Sequence, residues 1–160
     1  MGLKNKEKTD YIYDNYEQTR LDMFYDKDVP KYPKYARKAL PILIEKAKSG
    51  APIDYHKLGE MLGIPYFRRR AQYIGNFVCA CISTSFYKWE QHNEKKLPRL
   101  VNIVMSKSFF EKGNYVYDGL EKALGKKPTW KDYKCQLLAP IHAYEHWDEV
   151  LNTIEYANDK

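Results

Sequence analysis

The apolar positions between Pro33 and Lys48 recur every three to four residues, which is the spacing of one face of an α-helix. Pro41 lies inside this pattern and cannot donate a helical hydrogen bond, so we expect it to kink or split the helix. Gly50 follows at the position of a C-terminal cap. The predicted buried face consists of Ala36, Ala39, Leu40, Leu43, Ile44 and Ala47.

Two helices separated by a glycine are predicted next. After a short extended segment (51–54), Asp54 is suited to cap a helix over residues 55–62, which Gly63 would end. Pro65 fits the first turn of a longer helix, in which Gly75 weakens the middle and could divide it into two. The apolar stripe of this longer helix contains Phe67, Ala71, Ile74, Val78, Cys81, Ile82 and Ser85.

The pattern changes from helical to extended at residues 100–105, where LVNIVM is typical of a buried β-strand. Residues 106–118 predict a loop or hairpin. The turn would lie at Lys112, Gly113 and Asn114, and residues 115–117 would return as a second strand. Such a hairpin is the wing of a winged helix-turn-helix.

The C-terminal region is predicted to be helical. Residues 120–124 form a short helix, and Thr129 and Asp132 have the spacing of a capping box for the next one. We expect Pro140 to break that helix. A last helix over residues 141–156 carries the apolar residues Ile141, Tyr144, Trp147, Val150, Leu151 and Ile154.

The 160 residues have the length of one domain. Residues 1–30 form an acidic, tyrosine-rich arm with a helix predicted from Thr9. Residues 31–160 form a single winged-helix-like domain with a C-terminal helical extension (128–160). The expected fold class is α+β, mainly α, with a winged helix-turn-helix core and extra N- and C-terminal helices, because strand, helix, turn, helix and strand follow in the order of that motif.

Positive charge is concentrated in the middle of the chain. The formal net charge is +6, but residues 1–30 carry five Lys or Arg against seven Asp or Glu, a net charge of −2. Residues 31–127 carry nineteen against eight, a net charge of +11, and residues 128–160 carry three against six, a net charge of −3. Such a distribution favours a phosphate-binding surface, although a solvated lysine-rich surface would give the same counts.

The predicted second helix opens with three arginines, a residue type that binds phosphates and guanine edges. Three consecutive residues span about 200° of a helix, so at most two of them would contact DNA together. Alternatively, the arginines could pair with the acidic ends of the chain. The predicted DNA-binding residues are Lys57, Arg68, Arg69, Arg70, Gln72, Asn76, Lys107 and Lys112.

Three stretches carry a resemblance to a known family. They are IDYHKLGEMLGI from Ile53, RRRAQYIGNFV from Arg68 and KKLPRLVNIV from Lys95. They resemble the winged-helix domain of alkylguanine DNA alkyltransferases and alkyltransferase-like proteins, over about a third of the chain. The layout is also similar to that of small bacterial proteins encoded near restriction or defence genes. The resemblance implies a winged-helix fold with a DNA-facing surface, in an accessory subunit of a bacterial or phage DNA-processing or defence system.

This chain departs from the alkyltransferase pattern at the reacting positions. The family has its nucleophilic cysteine and a histidine directly after the proline that matches Pro98, where this chain has Arg99 and Leu100. Gln72 stands where the family has the arginine that pushes a base out of the stack. Alkyl transfer is therefore not expected, because it needs a thiolate at that position.

A zinc site is a further alternative. Residues 142–146 read His-Ala-Tyr-Glu-His, the pattern of inverted zinc peptidases. On one helix His142 and His146 would share a face, Glu149 would be a third ligand and Glu145 the general base. The alternative is that both histidines are packing or surface residues that bind no metal.

Other features point away from an enzyme. The chain contains no P-loop, no G-x-G-x-x-G and no G-x-S-x-G, so we expect no catalytic residues and no cofactor. Cys79, Cys81 and Cys135 are expected to be buried, reduced thiols. No apolar run suggests a membrane span or a secretory signal, so a cytoplasmic protein is expected.

The expected partner is double-stranded DNA. The main alternative is an interaction subunit or inhibitor whose basic centre binds an acidic protein. A protein partner or a second copy of the chain could contact the N- and C-terminal regions, because both are acidic and tyrosine-rich.

Overall fold

The computed structural model describes residues 31–113 and 119–156, so the predicted N-terminal arm lies outside the described residues. In chain order, the helices are α1 (Lys31–Ser49), α2 (Tyr55–Leu62), α3 (consecutive segments Arg70–Tyr73, Ile74–Cys79 and Ala80–Asn93), α4 (Lys107–Glu111), α5 (Gly119–Leu124), α6 (consecutive segments Trp130–Tyr133, Lys134–Leu138 and Ala139–Ala143) and α7 (Trp147–Thr153). A 3-10 turn, Leu100–Ile103, lies between α3 and α4.

Helix α1 is the centre of the core. All six residues of its predicted apolar face are buried, which confirms the periodicity, and the helix packs against α2, α3, the 3-10 turn, α6 and α7. Pro41 does not split α1, contrary to one of the two expected outcomes. Its side chain is exposed, so the carbonyl group that loses a helical partner lies on the side where water can hydrogen-bond it.

Helix α2 has the predicted ends. The side chain of Asp54 accepts a hydrogen bond from the amide of Lys57 at 2.7 Å, and Gly63 ends the helix with a φ of +73°. The amide of Gly63 donates to the carbonyl of Glu60, and the amide of Ile64 donates to the carbonyl of Gly59 at 3.0 Å. These bonds satisfy carbonyl groups that would otherwise lack partners at the helix end.

Helix α3 begins later than predicted. The sequence placed Pro65 in its first turn, but residues 64–69 form a turn and the helix begins at Arg70. Ile64 is buried, and the side chain of Arg70 reaches back to its carbonyl group. This hydrogen bond joins the two ends of the segment that precedes the helix.

Gly75 does not divide α3. The helix continues from Arg70 to Asn93 and widens to a π-helix over Ile74–Cys79. A Cβ atom at Gly75 would lie 3.5 Å from Cε1 of Tyr55, so α2 and α3 are in contact at this position. A π segment inserts a residue into the helix without ending it.

The strand predicted at residues 100–105 is not formed. All six residues are buried as expected, but Leu100–Ile103 is a 3-10 turn, and Val104 alone is bridged, in parallel, to Ile53. The amide of Ile53 donates to the carbonyl of Ile103, and the amide of Met105 donates to the carbonyl of Ile53, both at 2.9 Å. A longer ladder is excluded because the opposite segment is confined between the ends of α1 and α2.

The wing prediction is wrong for residues 107–111, which form α4. The side chain of Ser106 caps this helix by accepting a hydrogen bond from the amide of Phe109 at 3.2 Å. The predicted return strand at residues 115–117 lies outside the described residues. A mainly helical fold is thus confirmed, while no hairpin is formed in the parts of the chain that the structure describes.

The C-terminal helices differ from prediction in two ways. The capping box is confirmed, with Thr129 and Asp132 each accepting a hydrogen bond from the other's amide, but Pro140 does not break α6. The π segment Lys134–Leu138 precedes the proline and alters the hydrogen-bond ladder there. The helix ends at Ala143, and α7 begins at Trp147 instead of continuing from Ile141.

Within the described ranges, no helix is both long and apolar enough to cross a membrane.

Candidate nucleic-acid interface at the α2–α3 turn

The connection between α2 and α3 exposes apolar side chains. Met61 is 46% exposed, Tyr66 74% and Phe67 42%, and these are the exposed large hydrophobic residues of the described chain. Arg68 and Arg69 follow directly and are also exposed. We call these five residues the turn surface. Aromatic rings beside arginines are typical of surfaces that bind nucleic acids or proteins.

Arg70 supports the turn surface from inside. It was predicted to contact DNA, but its side chain is 6% exposed. Its Nη1 donates to the carbonyl of Ile64 at 3.0 Å, and its Nη2 lies 3.3 Å from Nδ1 of His56. Its Nε is buried without a hydrogen-bond partner among the described residues. In this structure the guanidinium is thus an internal anchor of the turn.

Gly59 makes room for this anchor. A Cβ atom at Gly59 would lie 2.9 Å from Nε of Arg70 and 3.1 Å from Cδ1 of Ile74. The sequence prediction missed both Gly59 and His56 as parts of the site. A glycine inside a short amphipathic helix was a usable signal, because glycine there weakens a helix unless another group approaches closely.

Tyr66 is held in place although it is exposed. The Cζ atom of Arg70 lies 5.4 Å from the centroid of the Tyr66 ring, within the range of a cation–π interaction. The ring of His56 lies nearly parallel to that of Tyr66, at 21° and 6.5 Å between centroids. Phe67 contacts Tyr73 edge to face at 6.0 Å. Both exposed rings of the turn are therefore supported by the body of the protein.

Within the described residues, no ion pair neutralises the charge of the turn surface. Arg68 and Arg69 have no ion-pair partner in the described part of the chain. From Met61 to Trp89 the sequence contains Arg68, Arg69, Arg70 and Lys88 but no Asp or Glu. Because no described acidic side chain pairs with Arg68 or Arg69, both can bind an anionic partner.

The remaining predicted residues lie on either side of the turn. Lys57 and Gln72 are exposed, and Asn76 is half-buried. Lys107 and Lys112 are exposed on α4 and directly after it; Lys107 lies 3.9 Å from Glu111, a solvent-exposed pair that costs little to separate.

Helix α2 separates two basic groups. Contact between Tyr55 and Phe109, with ring centroids 5.5 Å apart, places α4 beside the beginning of α2. The arginines follow the other end of α2, whose eight residues rise about 12 Å. Phosphates follow one another every ~3.4 Å along a DNA strand, so one strand can contact both basic groups.

The geometry required for the predicted zinc site is absent. Tyr144 is extended, so His142 and His146 do not share a face of one helix. Nδ1 of His142 lies 2.9 Å from the carbonyl of Ala47 at the end of α1, and Glu149 lies 3.9 Å from Lys95. No group of three potential metal ligands is brought together within residues 31–113 and 119–156.

The cysteines also differ from one another. Cys79 and Cys81 are buried as predicted, but Cys135 is exposed, so the prediction was wrong there. Burial raises the pKa of the Cys79 thiol to about 12. A neutral, buried thiol is a poor nucleophile, so Cys79 has a packing role.

Comparison of the chain with protein-family models, curated proteins and solved structures finds no match. The candidate interface therefore depends on the geometry and charge of the residues described above.

Proposed function

We propose that this protein binds duplex DNA through the turn surface and neighbouring basic side chains, mainly by contacts to phosphates. The observation that carries the proposal is the pair Arg68 and Arg69, which are exposed and unneutralised by the described residues on a rigidly supported turn. Arginine binds phosphate oxygens with two parallel hydrogen bonds, and such contacts supply most non-specific DNA affinity.

Each basic residue has a distinct part in this proposal. Arg68 and Arg69 bind one phosphate segment, with Lys57 and Gln72 beside them. Lys107 and Lys112 bind a second segment beyond the other end of α2. Arg70 does not contact phosphate directly but holds the turn in shape, because its guanidinium is buried. Binding of this kind needs no cofactor, and a place in a DNA-processing or defence system remains a prediction from the resemblance.

A second candidate is the recognition of an acidic protein. The exposed side chains of Met61, Tyr66 and Phe67 favour it, since apolar and aromatic groups are enriched at protein interfaces. Arginines at the rim would then steer an acidic partner. A protein with this role would leave DNA unbound in moderate salt.

The first test is fluorescence anisotropy with a labelled duplex of about 25 base pairs over a series of salt concentrations. We expect micromolar binding that weakens steeply with salt. The double variant Arg68→Ala/Arg69→Ala should bind more weakly and lower the salt slope by roughly two units, about 0.9 for each phosphate that is no longer neutralised.

The matched control removes the same charge elsewhere. Lys131 and Lys134 are exposed on α6, so Lys131→Ala/Lys134→Ala should leave the salt slope nearly unchanged. Equal effects of the two double variants would indicate a general dependence on net charge and contradict the assigned surface. The absence of binding by the wild-type protein at low salt would reject the proposed function.

A further inference from the structure

The Tyr66 ring combines high exposure with contacts to two side chains. An exposed aromatic side chain usually samples several rotamers, and ordering it on binding costs free energy. Here the ring is held by the Arg70 guanidinium at 5.4 Å and by the nearly parallel His56 ring, although 74% of the residue is exposed. The arrangement therefore presents an apolar ring that is already ordered.

Arg70 anchors the turn and also contacts the Tyr66 ring. It is a buried cation that uses Nη1 for one backbone carbonyl, while its Nε has no hydrogen-bond partner among the described residues. Burying a charge is costly unless its contacts compensate. The turn keeps this cation where it contacts Tyr66, and Gly59 keeps free the space that the cation needs.

We propose that Tyr66, supported by Phe67, forms a stacking platform for an unpaired base of a nucleic acid strand whose phosphates contact Arg68 and Arg69. This inference rests on the proposed function and extends it from duplex phosphates to single-stranded segments, such as gaps or frayed ends. The adjacency of rings and arginines in residues 66–69 fits a strand, in which bases and phosphates alternate.

Charge favours this occupant over a purely apolar partner. No acidic residue occurs between Met61 and Trp89, and two arginines adjoin the rings. Base stacking on aromatic residues tolerates any sequence, because every base presents a π face. The platform therefore favours unpaired bases without selecting among them.

The test compares two single-stranded probes that carry the same phosphates. One is a thymidine oligomer of about 12 nucleotides, and the other is an abasic oligomer of equal length. We expect the wild-type protein to bind the first roughly 10-fold more tightly, as for one stacked base. Tyr66→Leu should reduce the ratio of the two affinities to about 1, whereas Tyr66→Phe should retain the preference because the ring remains.

The outcomes separate the inference from the proposed function. Equal affinity of wild type for the two probes, or an unchanged preference in Tyr66→Leu, overturns the stacking platform while salt-dependent duplex binding can persist. An unchanged preference in Tyr66→Leu would indicate that the exposed rings bind a protein partner instead. If the wild-type protein binds neither the duplex nor either probe at low salt, the proposed function and the inference are both rejected. Circular dichroism of both variants checks that the fold is retained, as expected for an exposed side chain.

Discussion

The α2–α3 turn and the α6–α7 connection contain similar residues but use them in opposite ways. At the α6–α7 connection, Trp147, the first residue of α7, is 1% exposed. Tyr144 packs against it edge to face with centroids 4.7 Å apart, and the indole Nε1 donates to the carbonyl of Ile141. In the α2–α3 turn, Tyr66 and Phe67 point outward.

The two regions also differ in whether their charged residues form ion pairs. Asp148 and Glu149 on α7 pair with Lys48 and Lys95, at 2.6 Å and 3.9 Å. The arginines of the turn surface have no such partners in the described chain. Among the described residues, the exposed large hydrophobic side chains are confined to this turn and to Met61 near the end of α2. Their position beside two exposed arginines is the reason to place the proposed function there.

The largest expected effect comes from removing the buried ring of the α6–α7 connection. Trp147→Ala should lower the free energy of unfolding by about 3–5 kcal/mol, because it leaves a cavity between α6, α7 and Phe86. Urea denaturation measures this change, with Tyr66→Leu as the matched control at an exposed ring, which we expect to cost about 1 kcal/mol or less because only its contacts with Arg70 and His56 are lost. Similar destabilisation by the two variants would break the comparison.

A smaller effect tests the anchor beneath the turn surface. Gly59→Ala should lower the free energy of unfolding by roughly 1–3 kcal/mol, because the new Cβ would lie 2.9 Å from Nε of Arg70. In an Arg70→Ala background the same change should cost less, since part of the obstruction is gone. A double-mutant cycle measures this coupling, which we expect to be about 1 kcal/mol. Additive effects would show that Arg70 is not the obstructing group.

The stability of the protein at alkaline pH should depend on Cys79, which is buried on α3, the helix that also carries Arg70. Burial raises the pKa of Cys79 from an ordinary value of 9.0 to about 12, so folding favours the neutral thiol. The contribution of this thiol to the free energy of unfolding is therefore complete below pH 9 and decreases as the pH rises towards 12. At pH 10 we expect the free energy of unfolding to be about 1.4 kcal/mol lower. Tyr133 contributes in the same direction, because burial also raises its pKa.

Urea denaturation at pH 7 and pH 10 measures this destabilisation. Cys79→Ala should show a smaller difference between the two pH values than the wild type, whatever its absolute stability. Equal differences in the two proteins would mean that Cys79 is not the group that titrates.

Several features of the fold could be predicted because they depend on neighbours in sequence. The buried face of α1 follows from helical periodicity alone, and the caps at Asp54, Gly63 and Thr129 are formed by contacts across three to five residues. Arg68 and Arg69 are exposed, as a DNA contact requires, but the sequence placed them in the first turn of a helix, whereas they lie in the turn that precedes it.

Other features required contacts between residues distant along the chain. Residues 100–105 have the composition of a strand, yet only Ile53 is available as a pairing partner among the described residues, so most of the segment forms a 3-10 turn. His142 and His146 have the spacing of a helical metal pair, but the helix ends between them, where Trp147 packs back on Ile141.

The sequence by itself determined the amphipathic helices, most of their caps and the concentration of positive charge, because these depend on composition and local spacing. The tertiary structure decided which of three consecutive arginines is buried and which aromatic rings remain outside. That choice depends on the space left by Gly59 and on the position of the Ile64 carbonyl, and both are fixed only when α2 packs against α3.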